Sequence, residues 1–185
     1  MEAIGLALFD SPIGRCGIAW STLGVVAVQL PEHDDRRTRA RLVRRAPEAV
    51  DAVPSPEAQR AIDGILSLLA GKDSDLTSVT LDMDGLPPFH RRVYEAARTI
   101  PPGATRSYGD VAAELGDPAA ARAVGQALGS NPLAILVPCH RVLAAGGAIG
   151  GFSAPGGVAT KRRLLAIEGT AGSEQLALFD AVGGR

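Results

Sequence analysis

Short apolar runs separated by turn residues open the chain: "IGLALF", "CGIAWS" and "VVAVQL" are divided by "DSPIG" and "TLG". Runs of this length between glycine, proline and serine predict an antiparallel meander. The period then changes. "SPEAQRAIDGILSLLAG" repeats its apolar residues at helical spacing, with Ser55 as N-cap, Pro56 at the first helical position and Gly71 just past the end, which predicts a helix. "TSVTLDM" is the next expected strand, and "GLPP", residues 85–88, is the expected boundary. It divides an N-terminal α/β domain over 1–86 from a C-terminal domain over 87–169, with a flexible tail over 170–185. Beyond the boundary, "PFHRRVYEAARTI" puts Phe89, Val93, Ala96, Ala97 and Ile100 on one helical face and points Arg91, Arg92 and Arg98 elsewhere.

In "SYGDVAAELGDPAAARAVGQALGSNP", Ser107 and Asp110 make a capping-box start and Gly116 a stop; Asp117 then caps a second helix that Pro118 opens and Gly129 closes. Two helices joined with almost no loop form a helix-turn-helix geometry. On the second, Val124 and Leu128 share the inward face, while Arg122 has Pro118, Ala119, Gly125 and Gln126 as its neighbours one turn away. A surface of alanine and glycine suits close approach to another surface with one arginine projecting into it. Against that stands the plainer account of a surface salt-bridge residue on an alanine-rich helix.

Charge sharpens the division. The whole chain carries −1, yet residues 89–169 hold nine Lys/Arg against five Asp/Glu, or +4, while residues 1–88 hold nine against thirteen, or −4. The second segment is the one suited to a polyanion. Six of the nine basic residues in the first segment are arginines between Arg36 and Arg45, as a solvated helix face or mobile loop or as a phosphate-contacting patch. No run of eighteen apolar residues exists and the start lacks a basic n-region, so a cytoplasmic protein with no membrane partner is expected. Two cysteines and three histidines at unrelated spacings make no zinc pattern, which leaves free thiols in a reducing compartment and no metal.

One of those thiols stands in "PCHRV". Cys139 is followed directly by His140, so it is either a packed structural thiol or a nucleophile. A thiol near its ordinary pKa of about 8.5 is mostly protonated and needs a base or a positive field. Adjacent side chains usually diverge, so His140 would need a turn or a bridging water, and a third group to orient it. Glu168 is the candidate. "GVATKRRLLAIEG" predicts a helix stopped by Gly169, which leaves Glu168 in the last turn, where the helix dipole disfavours an acid unless a tertiary contact compensates.

The stretch from Phe89 to Gly169 resembles the O6-alkylguanine-DNA alkyltransferases, whose signature is "PCHRV"; "SYGDVAAELGDPAAARAVGQALGSNP" and "NPLAILVPCHRV" fit that family in order and spacing. The N-terminal half is similar more loosely, through "DSPIG" and the meander. The resemblance implies an α/β protein with a ribonuclease H-like antiparallel-sheet domain followed by a winged-helix-like DNA-binding domain. It implies a methylated-DNA–protein-cysteine S-methyltransferase, monomeric and without cofactor, that binds double-stranded DNA in the minor groove and flips an O6-alkylguanine out of the stack. Cys139 would keep the alkyl group and act once. His140 would serve as general base through a water, Glu168 would orient it, and Asn131 would hinge the recognition helix to an active-site strand. Arg122, flanked by Ala121 and Gly125, would fill the gap left by the base. Tyr108, Phe152 and the backbone of Val142 and Ser153 would line the pocket, with Phe152 where the family often has tyrosine. Three other readings stay beside this one: a lesion sensor that binds without transfer, a cysteine hydrolase using Cys139, His140 and Glu168, and a transcriptional helix-turn-helix module. In the tail, "QLALF" from Gln175 to Phe179 resembles the peptide by which bacterial repair proteins dock on the sliding clamp, with Leu176, Leu178 and Phe179 as anchors; a strand packing on the protein itself is the alternative.

Overall fold

The computed structural model describes residues 5–72 and 74–170, so the peptide from Gln175 to Phe179 lies outside the described residues. The meander forms as expected. Strand β1 (Gly5–Ser11) runs antiparallel to β2 (Gly14–Trp20) in continuous register from Gly5 opposite Trp20 to Ser11 opposite Gly14, and β3 (Val25–Gln29) pairs antiparallel with β2. The arginine-rich segment is a helix, α1 (Asp35–Arg45), capped by the Asp34 carboxylate at the Arg37 amide, 2.7 Å. It returns the chain so that β4 (Val50–Asp51) adds parallel to the free edge of β1, giving the order β3-β2-β1-β4. The sheet is therefore mixed, not wholly antiparallel: the helical crossover after β3 brings the chain back along the direction of β1.

Helix α2 (Pro56–Leu69) starts on the Ser55 side chain, and Gly71 follows in the left-handed region at φ +71°. The sheet separates two apolar layers. Leu6, Ala19, Val26 and Ala27 pack with Leu42 of α1 on one face, while Ile18, Trp20, Val25 and Val28 meet Ile62, Ile65 and Leu69 of α2 on the other. The stretch "TSVTLDM" is not a strand. Only Leu81 bridges to Val25, because Asp82 turns the chain by accepting from the Ser21 hydroxyl (2.6 Å) and the Asp84 amide (3.0 Å), an alternative to ladder hydrogen bonds.

Helix α3 (Pro88–Arg98) buries Val93, Tyr94, Ala96 and Ala97, but Arg98 does not point away; it folds back onto the carbonyls of Leu76, Thr77 and Val79. Strand β5 (Arg106–Ser107) leads into α4 (Tyr108–Glu114), whose capping box between Ser107 and Asp110 is complete. Gly116 ends it at φ +85°, a conformation that costs glycine nothing. The second helix begins differently from expectation: Asp117 caps a single 3₁₀ turn, Pro118–Ala120, before α5 (Ala121–Gly129). Strand β6 (Val142–Leu143) pairs parallel with β5, and α6 (Gly157–Ile167) closes the described chain. One core runs through both halves, from Ile65 and Leu68 to Tyr94, Val124 and Leu136. It passes the edge of β3, where the Val28 amide donates to the Pro132 carbonyl (2.8 Å) and fixes the loop that carries Cys139. Among the described residues no helix is long and apolar enough to cross a membrane.

Candidate active site

The expected active-site strand is a turn. After α5 the chain makes a tight loop and then one 3₁₀ turn, Cys139–Arg141. Asn131, buried, binds the loop at both ends: its side-chain amide donates to the Val137 carbonyl and its carbonyl oxygen accepts from the Leu133 amide, each at 2.9 Å. Inside the loop Ile135 sits at φ +70°, a conformation that a β-branched residue adopts only under constraint and at a cost of about 1–3 kcal/mol. Asn131 supplies that constraint, and the Cys139 amide closes the loop on the Val137 carbonyl at 2.8 Å.

The turn splits the adjacent side chains. Cys139, half-buried, lines a cleft of about 430 Å³ together with Tyr108, Gly125, Leu128, Gly129, Gly151, Phe152 and Ser153. His140 is fully buried on the other side, where its Nε2 lies 2.8 Å from Oε1 of Glu168. Arg141 grips the same carboxylate twice, Nε to Oε2 at 2.9 Å and Nη2 to Oε1 at 2.8 Å, and its Nη1 donates to the Ile100 carbonyl. This is the tertiary contact that the placement of Glu168 as C-cap of α6 required.

Burial alone would raise the Glu168 pKa, but the hydrogen bonds from His140 and Arg141 and their attraction bring it to about 2. The carboxylate is thus an acceptor only, which puts a proton on His140 Nε2. Burial outweighs Glu168 and holds the His140 pKa below its ordinary value, so the ring is neutral at pH 7 and Nδ1 is its basic atom. No group among the described residues hydrogen-bonds Nδ1. Burial also pushes the Cys139 thiol up, opposed by the Asn131 side chain, the Lys161 charge and local backbone amides.

Lys161 was not singled out from the sequence. Its ammonium is fully buried, donates to the Val142 carbonyl at 2.7 Å and lies 5.8 Å from the centre of the Tyr108 ring and 6.0 Å from that of Phe152. Desolvation lowers its pKa to about 8, with the Cys139 charge acting the other way. The clue was available: Lys161 stands three and four residues before Leu164 and Leu165, on the apolar stripe of α6, where a lone lysine is out of place.

Of the residues expected from the sequence, Cys139, Tyr108, Gly125, Phe152 and Ser153 come together in the cleft, and Ser153 ties its loop to the end of α5 by donating to the Gly129 carbonyl at 2.6 Å. Val142 lies behind the cleft, buried, with its carbonyl taken by Lys161. Arg122 and Ala121 are one turn before Gly125 on the face that borders the cleft. Arg122 is exposed, and no ion pair to it occurs among the described residues. No cluster of metal-binding side chains occurs among the described residues.

Known proteins share this arrangement of chain. Residues 88–170 match the family model for the 6-O-methylguanine DNA methyltransferase DNA binding domain. A methylated-DNA–protein-cysteine methyltransferase of Mycobacterium tuberculosis is 40% identical over 174 residues, which is 92% of this chain and 96% of that protein. Among solved structures, that of M. tuberculosis OGT in complex with DNA superposes with a TM-score of 0.71 at 36% identity, covering 94% of this chain and 99% of the other. The O6-methylguanine-DNA methyltransferase of Pyrococcus kodakaraensis gives 0.71 at 29% identity, covering 89% and 99%. Identity at this level, sustained over nearly the whole of a relative, establishes that the chain belongs to the methylated-DNA–protein-cysteine methyltransferase family.

Proposed function

We propose that this protein repairs duplex DNA directly, taking the alkyl group from O6 of a guanine onto Cys139. The support that weighs most is a half-buried thiol at the wall of an open cleft, backed by a neutral histidine whose far nitrogen is fixed on a buried carboxylate. The thiol proton passes through a water to His140 Nδ1, and Glu168 stabilises the imidazolium that forms. Sulfur then displaces the base: the S–C bond forms as the C–O6 bond breaks, and the electron pair stays on the guanine, which takes up a proton. Tyr108, whose hydroxyl is held protonated by burial, is the donor within the cleft. The thioether is not cleaved by water, so each molecule acts once.

O6 within a base stack is out of reach of a side-chain sulfur, so the base must be turned out of the duplex. The M. tuberculosis relative is solved in complex with DNA, and on this chain we assign α4 and α5 to the minor groove, whose width of about 6 Å suits the alanine–glycine face around Arg122. The ribonuclease H-like and winged-helix-like character of the two halves, divided near residue 86, and a cytoplasmic setting belong to the same reading.

Duplex DNA with one O6-methylguanine, mixed with the protein and followed by peptide mass measurement, is expected to add a single methyl at Cys139, saturating at one equivalent. Repeated turnover without added mass would favour the hydrolase reading instead, and tight binding without added mass the sensor. Arg122→Ala is expected to slow transfer from the duplex by about tenfold or more, the equivalent of part of the unstacking cost, while leaving reaction with the free O6-methylguanine base unchanged. Equal slowing on both substrates would remove Arg122 from base flipping.

A further inference from the structure

The arginine-rich helix is only partly explained as a solvated surface. Arg37 pairs with Asp34, Arg39 with Asp51, and Arg41 with Glu32 at 2.7 Å. Arg45, at the C-terminal end of α1, does something else. Its guanidinium is half-buried and reaches across to the other half of the chain, where Nη1 donates to the Asn131 carbonyl at 2.8 Å. Among the described residues it has no carboxylate partner. Arg41 and Arg45 line a small cavity whose wall includes Asn131 and Cys139.

We propose that Arg45 is a positioning residue for the reaction at Cys139, holding the loop that carries the thiol through Asn131 and setting an uncompensated positive charge beside it. The inference rests on the alkyl-transfer reading for its purpose, but its geometry stands independently. Asn131 is a junction: its side chain braces the loop at Leu133 and Val137, and the Val137 carbonyl receives the Cys139 amide. Arg45 fixes that junction from outside, using the one Asn131 acceptor that the loop itself leaves free.

The charge argument follows from the neighbours. Facing Cys139 are Lys161 from α6, Tyr108 from α4, Tyr94 from α3, His140 from its own turn, and Arg45 with Arg41 from α1. Tyrosines are neutral, His140 is neutral and turned toward Glu168, which Arg141 also neutralises, and Arg41 is matched by Glu32. That leaves Lys161 and Arg45 as the two cations whose charge is not spent on a carboxylate. A guanidinium kept near other arginines and partly out of water is unfavourable unless a negative charge forms close by. Burial and Arg41 lower the Arg45 pKa, and Tyr94 and Cys139 oppose that, in keeping with a thiolate as the compensating charge.

The test compares wild type, Arg45→Met and Arg45→Lys by the rate at which iodoacetamide alkylates Cys139, followed on the digested peptide from about pH 6 to about pH 10. Methyl transfer from the O6-methylguanine duplex, duplex affinity and Tm are measured alongside. Arg45→Met is expected to slow both reactions at pH 7 by about tenfold, one unit in the thiol's apparent pKa, and to converge on wild type at high pH, with Arg45→Lys recovering most of the loss. A fall in Tm with the thiol titration unchanged would make Arg45 purely architectural and overturn the proposal. Weaker duplex binding with the titration unchanged would assign it to DNA phosphates and overturn it equally. If wild type itself transfers no methyl, the functional reading fails, and the iodoacetamide titration still decides the role of Arg45.

Discussion

In Cys139→Ser, methyl transfer from O6-methylguanine is expected to fall by about four orders of magnitude or more, while the same duplex is still bound. The substitution keeps the shape of the side chain and removes only what the chemistry needs. A hydroxyl next to His140 is far less acidic than a thiol, and although burial pushes the Cys139 thiol up, the nearby charges of Lys161 and Arg45 suit the diffuse thiolate formed when its proton leaves. Oxygen is also the poorer nucleophile toward a methyl carbon. The other thiol cannot take over: Cys16 is buried in β2 beside the Ser11 hydroxyl, and burial pushes its pKa up to about 11. Single-turnover transfer measured with peptide mapping decides the matter. Methyl on any residue of Cys139→Ser at near wild-type rate would displace Cys139 as the acceptor, and methyl on Cys16 in wild type would do the same.

The elements around this site differ in how much of them could be read from the chain. The meander, α2 and the capping box at Ser107 are governed by local signals, turn residues and caps within a few positions of one another, and these appear in the structure as expected. The parallel edge strand β4 has no such signal; two residues become a strand because α1 happens to return them to the edge of β1. "TSVTLDM" has strand composition, yet Asp82 binds Ser21 across the fold, and a partner 61 positions away is invisible to local pattern. At the site the same rule applies. Glu168 drew notice because an acid at a helix C-terminus is locally wrong, and its cause proved to be His140 and Arg141. Lys161 was wrong in its position in the same way and could have been found by the same reasoning. Arg45 could not: among six arginines in one helix, nothing in the chain separates the one bound to Asn131 from those facing water.

Glu168→Gln is expected to lower both stability and transfer, and the two losses have different origins. The carboxylate accepts from His140 and from Nε and Nη2 of Arg141 while its side chain is 2% exposed. A glutamine has one oxygen to offer and no charge, so Arg141 becomes a buried cation without its counter-ion, which costs about 3–5 kcal/mol where a buried pair is broken from one side. Transfer suffers separately. His140 keeps a hydrogen bond to the amide oxygen, but the imidazolium formed on taking the thiol proton loses its carboxylate, for which a drop of about 10²- to 10⁴-fold is the expected scale. The pH dependence distinguishes the terms. Glu168 has its folded pKa depressed from an ordinary 4.5 to about 2, so its contribution to stability is complete above about pH 4.5 and is lost as the pH falls toward 2. His140 is also depressed on folding, so the unfolded chain binds its proton first and stability declines as the pH falls through about 6.5. Wild type should therefore lose stability on acidification in two successive ranges, and Glu168→Gln should keep the upper one while the lower shrinks to what the exposed carboxylates of Asp51, Asp75 and Asp110 contribute. Urea unfolding from pH 8 down to pH 3 measures both. If the variant retains the wild-type decline below pH 4.5, the carboxylate is not the group titrating there; if it retains wild-type transfer at pH 7 once shown to be folded, His140 acts without Glu168, and the relay from Cys139 to the carboxylate must be given up.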